Sequence, residues 1–429
     1  MVYVLNIEGK PLMPTERHSF VRRILRTGRA IVVRCIPFTI QLTYETENKI
    51  QDISLGVDSG TAHIGVSACT EKKELFAAEV KLRTDVVGNI STRRELRRTR
   101  RNRLRYRKPR FNNRAKSKKK GWLAPSVRHK IDCHKEIIKK VCSILPVSEI
   151  HLEIGNFDTQ KIKNPDIQGI EYQQGEQLGF WNVREYVLCR DNHTCQHCGS
   201  KGKNKSGDKV LEIHHLESRK TGGDSPSNLI TLCRTCHKKY HEGKIKLKQK
   251  RDDMHLRDAG VMSSMKNALY NELCELYPNV KKTYGYITKY HRIKHNVEKT
   301  HIGDARMILK KFVAVPLDYF YEFTKIRRHN RQLYRMNQIK KGKWVRVQSP
   351  YKTFGFRTHD VILYKNVVCY ITGRRSNGQF SINGANGEIF YNKNGNIANN
   401  KINYKYFKFL YLNGGYRKIT KRCFKSSII

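Results

Sequence analysis

Apolar positions at Phe20, Ile24 and Leu25 in TERHSFVRRILRTGRA have helical spacing, and Gly28 supplies a residue at which such a helix can stop. Two β-rich runs follow, IVVRCI and FTIQLTY, split by Pro37. With the PLMP run at 11–14, residues 1–50 therefore read as a small unit. DISLGVDSG, AHIGVSACT and ELFAAEVKL predict three strands in an antiparallel meander that opens an α/β domain, and Asp58 ends the first of them. VRHKIDCHKEIIKKVCSILP predicts a helix of about 25 residues ending at Pro146, and VSEIHLEIG predicts a buried strand carrying Glu153. After a polar stretch at 156–178, residues 279–311 return to strand-then-helix character, YGYITKY as strand before THIGDARMILKKF. From Pro316 onward, runs such as VVCYITGRR and GQFSING, punctuated by Gly and Asn, predict a small β domain. No internal repeat is present.

Charge changes the picture more than length does. The 429 residues hold 85 Lys plus Arg against 37 Asp plus Glu, a formal net charge of +48. A compact chain tolerates that self-repulsion poorly without a polyanion, so nucleic acid is the expected partner. Residues 91–120, STRRELRRTRRNRLRYRKPRFNNRAKSKKK, carry a single acid, Glu95, and are too charged to bury themselves. No segment has the apolar length of a membrane span and the N-terminus lacks a secretory signal, so no membrane association and a cytoplasmic location are expected. In a reducing compartment the 12 cysteines should be thiols or metal ligands.

Four of those cysteines have metal spacing. Cys195 and Cys198 form one Cys-x-x-Cys pair and Cys233 and Cys236 a second, and two such pairs can present four thiolates tetrahedrally to a structural Zn²⁺. A redox role fits poorly, because redox pairs work singly on a thioredoxin-like frame. Between the pairs lies LEIHHLESRKTGGDSPSNLITLCRTCH. The segment resembles the HNH, or ββα-metal, endonuclease family, which uses a strand-end His to deprotonate water, a ligand beside it and a further ligand on the next helix to hold one divalent cation. That resemblance implies His215 as the general base, His214 and His237 as ligands of one Mg²⁺, and Asn228 as the residue that pins the loop. His241 is left open between a surface residue and an auxiliary ligand.

Asp58 at a strand end, Glu153 ending a later strand and Asp304 near a helix start are the second constellation. Converging carboxylates can hold two Mg²⁺ ions roughly 4 Å apart across a phosphodiester. His301 lies one helical turn before Asp304 and so shares its face. Taken singly, these acids also fit a turn former, an edge charge and a helix-dipole partner. GVDSGTAHIGVSA, HLEIG and HIGDA together are similar to the three separated motifs of a RuvC nuclease.

With PLMP near the start and a basic β domain at the end, the whole chain resembles the IscB family of transposon-associated RNA-guided nucleases, related to type II CRISPR effectors. That resemblance implies an α/β multidomain fold in which an RNase H-like (RuvC) domain is split by an arginine-rich bridge helix and an inserted zinc-stapled HNH domain, with a C-terminal β-rich domain. The implied boundaries are 1–50 for the PLMP domain, 51–90 for RuvC segment I and 91–120 for the bridge helix. RuvC segment II would span 121–165, a linker 166–178 and the HNH domain 179–250. A linker with RuvC segment III would cover 251–315, and the β domain 316–429. The bridge arginines Arg93, Arg94, Arg97, Arg98, Arg100, Arg101, Arg103, Arg105, Arg107 and Arg110 would lie along RNA phosphates. The implied partners are a guide (omega) RNA and double-stranded DNA bearing a short flanking motif, bound by a monomeric protein in a prokaryotic, nucleoid-associated ribonucleoprotein. HNH would cut the guide-paired strand and RuvC the displaced one. Relatives often carry Asp where this chain has His214, which bears on metal preference. Two alternatives stand beside this reading, an unguided homing- or resolvase-type nuclease and a binding derivative that no longer cuts.

Overall fold

The computed structural model describes all residues except 48, 103–120, 156–159, 161–164, 202–210, 218–222, 248–256, 328–351, 386, 392–396, 398, 400, 413 and 423–429. The described chain divides into two compact units, residues 1–155 with 262–429, and residues 156–261. Among the described residues, no helix is long and apolar enough to cross a membrane.

The first unit opens with β1 (Tyr3–Leu5), α1 (His18–Arg26), β2 (Ala30–Arg34) and β3 (Thr39–Leu42), a three-stranded sheet in the order β1-β3-β2. Val21 and Ile24 of α1 are buried there, Phe20 stays 39% exposed, and Gly28, at φ +72°, follows the helix end. Strands β4 (Ile53–Ser59), β5 (His63–Cys69) and β6 (Glu74–Lys81) pair antiparallel in sequence. Helix α2 (Val86–Asn102) begins before the arginine run, and Arg93, Arg94, Arg97 and Arg98 are exposed along it. Arg100 and Arg101 belong to the same helix, whereas Arg103, Arg105, Arg107 and Arg110 lie outside the described residues. Helix α3 (Pro125–Cys142) has 18 residues, shorter than the apolar run suggests. Ile144 and Leu145 prolong the pattern because both are buried in the turn leading to β7 (Val147–Ile154), not because the helix continues.

The second unit contains α4 (Val183–Arg190), the antiparallel hairpin β8 (Leu211–His215) and β9 (Leu229–Cys233), and α5 (Arg234–His241). Its apolar core is small, with Leu188, Cys195, Leu211, Leu232 and Cys236 buried.

The chain re-enters the first unit along α6 (Arg257–Leu276), then β10 (Val280–Tyr284), α7 (Gly285–Lys294) and α8 (His301–Ile308). YGYITKY is therefore not a strand. Tyr284 ends β10 and the rest begins α7, so a run rich in β-favouring Tyr, Ile and Thr turns helical in its tertiary setting. Beyond β11 (Tyr319–Lys325), strands β12 (Val361–Tyr364), β13 (Val367–Arg374), β14 (Gln379–Gly384), β15 (Ile402–Asn403) and β16 (Lys408–Tyr411) form a five-stranded sheet with its own apolar cluster. β17 (Tyr416–Arg422) returns to pair with β11.

The main sheet has seven strands in the order β10-β7-β4-β5-β6-β11-β17. β4 is antiparallel to β5 but parallel to β7, which is in turn parallel to β10. Strands contributed from both sides of the second unit's sequence thus share one sheet. Side chains alternate between its faces. Leu55, Val57, Ile150 and Leu152 join Ile131, Ile137 and Ile138 of α3 and Met265 and Leu269 of α6 in one core, and the alternate positions of β4, Gly56 and Asp58, meet α8 and its side chains instead.

His134 of α3 lies inside this unit at 0% exposure, its Nδ1 donating to the Lys130 carbonyl at 2.8 Å while Nε2 has no partner. Burial pushes its pKa down to about 4, below the roughly 6.5 of an unfolded chain. The unfolded state therefore binds the extra proton between those values, and stability present at neutral pH is lost as pH falls from about 6.5 toward 4. The loss is about 3 kcal/mol from this group. Opening free energies of β4 and β7 amides, measured by hydrogen exchange, should fall over that window and fall less in His134→Leu. Equal slopes would refute the assignment.

Candidate metal centres

In the second unit, the four thiol sulfurs of Cys195, Cys198, Cys233 and Cys236 lie within 4.8 Å of one another, and Cys198 Sγ and Cys233 Sγ are 3.8 Å apart. Zinc bound to thiolates at about 2.3 Å in tetrahedral geometry places the sulfurs roughly 3.8 Å apart, so the cage fits the ion. The electrostatics agree. Burial opposes ionisation of Cys195, but backbone N–H donors from Cys198, Cys233 and His197 outweigh it and hold that thiol below its ordinary pKa. Cys236 is pushed up by burial and by its neighbouring thiols. Four thiols this close cannot all ionise without a cation among them. The first knuckle is tied to the second by Gln196 N, which donates to the Thr231 carbonyl at 2.9 Å.

The same hairpin carries the histidines. His214 and His215 are consecutive on β8 and so project to opposite faces. On one, His214 Nδ1 is 3.0 Å from His237 Nε2, and His241 Nε2 is 3.1 Å from that same atom. Three imidazole nitrogens at these separations suit one cation bound at about 2.1 Å. His241, which spacing leaves undecided, belongs to the cluster because α5 puts it one turn beyond His237. Burial, followed by repulsion from His237, lowers the His214 pKa to about 4, so that ring is a neutral donor. Glu212 hydrogen-bonds His237 Nδ1 and orients it, as carboxylates behind metal-ligating histidines do. Glu212 was legible only as the i−2 neighbour of His214 on one strand face.

On the other face, His215 Nε2 is 2.9 Å from Asp224 Oδ1. Asn228, 5% exposed, donates from Nδ2 to the carbonyls of Glu217 at 3.0 Å and Gly223 at 2.9 Å and accepts from Glu217 N at 2.8 Å. It clasps the two ends of the loop that follows His215.

In the first unit, Asp58 on β4, Glu153 on β7 and Asp304 on α8 occupy one region. Val57 pairs with Leu152, so Asp58 and Glu153 follow at the same level on adjacent strands. Two glycines let α8 press onto the sheet. A Cβ on Gly56 would come within 2.0 Å of the Ala305 carbonyl oxygen, and one on Gly65 within 1.8 Å of that of His301. Only glycine permits the approach that delivers His301 and Asp304.

Each acid has a basic neighbour. His301 Nδ1 is 2.8 Å from Asp58 Oδ2, Lys266 Nζ is 3.3 Å from Glu153 Oε1 and Arg292 Nε is 3.2 Å from Asp304 Oδ1. Burial, then repulsion by Asp58, raises the pKa of Asp304; burial and a weaker push from Asp58 raise that of Glu153. The bond to Asp58 raises that of His301. Acids that repel one another in a half-buried cleft invite added positive charge, and oxygen donors suit hard divalent ions. Among the described residues, however, the three acids do not form a single cage within 4.8 Å, whereas His63, Glu79 and His301 do. His63 stacks on His301 at 5.1 Å and 7°, with its Nδ1 2.7 Å from Glu79 Oε1. No sequence pattern marked His63, Glu79 or Lys266, whose roles come from strand pairing and helix docking.

Comparison with known proteins bears on both units. Residues 2–175 match the RRXRR protein family. Within that span Arg97-Arg98-Thr99-Arg100-Arg101 spells the pattern. A 65-residue stretch is 31% identical to the type IV methyl-directed restriction enzyme EcoKMcrA of Escherichia coli strain K12, covering 14% of this chain and 24% of that enzyme. Streptococcus thermophilus Cas9, solved in complex with the AGAA PAM, is similar over 61% of this chain and 32% of its own, at 11% identity and a TM-score of 0.34. Residues 195–243 match the HNH endonuclease family, so the span that holds both the four-cysteine cage and the histidine cluster is an HNH endonuclease domain.

Proposed function

We propose that this chain is an RNA-guided DNA endonuclease with two metal-dependent sites, the HNH domain cutting the guide-paired strand and the Asp58–Glu153–Asp304 cleft cutting the displaced strand. The observation that carries the two-site reading is the main sheet. Its β6-β5-β4-β7-β10 portion has three antiparallel strands followed by two parallel ones, the arrangement an RNase H-like RuvC domain requires. The HNH domain is inserted in sequence between β7 and β10. The exposed arginines of α2 and the match to the RRXRR family support a grip on RNA phosphates.

At the HNH site, His215 takes the proton from the attacking water, and Asn228 holds the loop so that the imidazole keeps its aim. A divalent ion held by His214, His237 and His241 would stabilise charge on the scissile phosphate. Three imidazoles favour a transition metal over Mg²⁺, so the two sites are expected to differ in metal preference, with the carboxylate cleft taking Mg²⁺. The four-cysteine cage would hold Zn²⁺ structurally, leaving no position for substrate.

Guidance is tested by purifying the chain from its host, sequencing any RNA that comes with it, and exchanging the guide segment. A discrete RNA should copurify, and metal-dependent cutting should move to the DNA matching the new segment. Cutting that ignores the exchange would leave an unguided nuclease.

A further inference from the structure

The strand-to-helix junction β10–α7 has two unlike faces. Thr288, 2% exposed, and Arg292 point inward, where Arg292 meets Asp304. Outward, Tyr284 is 40%, Tyr286 73% and Tyr290 60% exposed. Tyr286 and Tyr290 share a helix face by their spacing, and Lys289 beside them is exposed. The Tyr284 and Tyr286 rings are stacked, 6.0 Å apart at 18°. Their backbone passes directly against the carboxylate cleft, since Thr283 pairs with Glu153 and a Cβ on Gly285 would stand 3.4 Å from Glu153 Oε1. Three tyrosines left in water on one short element do not serve the core. Aromatic faces presented among lysines bind unpaired bases, which have free π-faces, whereas bases in a duplex already stack on one another.

We propose that Tyr284 and Tyr286 form a stacking step for a base of single-stranded DNA beside the Asp58–Glu153–Asp304 cleft, with Lys289 and Tyr290 extending the track along α7. This rests on reading the cleft as a nuclease site that receives the displaced DNA strand, and it specifies that the strand is held by its bases as well as its phosphates.

The full-length chain carrying Asp58→Ala, so that bound DNA is not consumed, is titrated with a fluorescent mixed-sequence single strand. The salt is raised to suppress purely electrostatic binding. Tyr284→Ala and Tyr286→Ala, each added to that chain, should weaken binding about 5- to 150-fold, the loss of one stacked base. The two phenylalanine variants should bind as their parent does, and duplex binding should be unchanged. A strand containing 5-iododeoxyuridine should crosslink to the peptide spanning Tyr284–Tyr286. The proposal is overturned if both alanine variants stay within about twofold of the parent, if duplex binding falls equally, if crosslinks map elsewhere, or if 5-iodouridine RNA crosslinks there in preference. The two readings can fail separately. Crosslinking at the tyrosines in a chain that cuts no strand with Asp58 intact keeps the stacking step and discards the nuclease site. Asp58-dependent cutting undiminished by the alanine variants, with no crosslink, does the reverse.

Discussion

Cys233→Ser should unfold the HNH domain and abolish its strand cut while the second cut continues. The magnitudes decide this. Among the described residues the unit's main apolar cluster has five buried residues, two of them cage cysteines, and a core in so small a module rarely supplies more than about 3–5 kcal/mol. Apparent zinc binding to such cages at neutral pH is worth about 10–16 kcal/mol, and it is folding energy. Cys233 also caps α5, the helix that carries His237 and His241, so losing the metal releases the hairpin and the helix that define the histidine cluster. Limited proteolysis should show new cleavage within residues 183–247 and no change in the first unit, and chelation should reproduce the effect in the parent. A zinc-free chain that still cuts in a His215-dependent way would remove the structural role of the cage.

The parts of the molecule legible in the sequence are those whose signal is local. The Cys-x-x-Cys spacing and the His-His, Asn and Cys-His run stand in one short segment, and the structure brings the cysteines into one cage and His214 and His237 into one cluster. DISLGVDSG, AHIGVSACT and ELFAAEVKL are short apolar runs that follow one another closely, and the structure pairs them antiparallel in sequence as strands that are almost continuously buried. What stayed hidden depends on contacts distant in sequence. Lys266 reaches Glu153 across 113 positions, and nothing near it in sequence signals a buried amine. Gly56 and Gly65 look like ordinary strand glycines until α8 lies on them. His63 and Glu79 become visible only when β5 and β6 bring them beside His301. YGYITKY misleads in the opposite way, since its composition favours a strand while its position after β10 makes it the start of a helix.

Asp58→Ala and His215→Ala should each convert a double-strand break into a nick, on opposite strands, and the double variant should cut neither. His215→Ala removes the general base, a loss of about 10²–10⁴-fold at one strand, with the cage and the three-histidine cluster intact. Asp58→Ala removes a carboxylate that would help hold divalent metal at the other cleft and also strips His301 of its hydrogen bond to Asp58. If each tenfold in rate is about 1.4 kcal/mol and metal stabilisation of the phosphate is worth several, the displaced-strand cut should fall by roughly 10³-fold or more. Strand-resolved cleavage of end-labelled DNA reads both variants at once. Loss of both cuts in either variant would mean that one site must act before the other can. An undiminished pair of cuts in Asp58→Ala would show that the carboxylate cleft does no chemistry, leaving its ion pairs to Lys266, Arg292 and His301 as structural, and would return the second strand to the HNH domain.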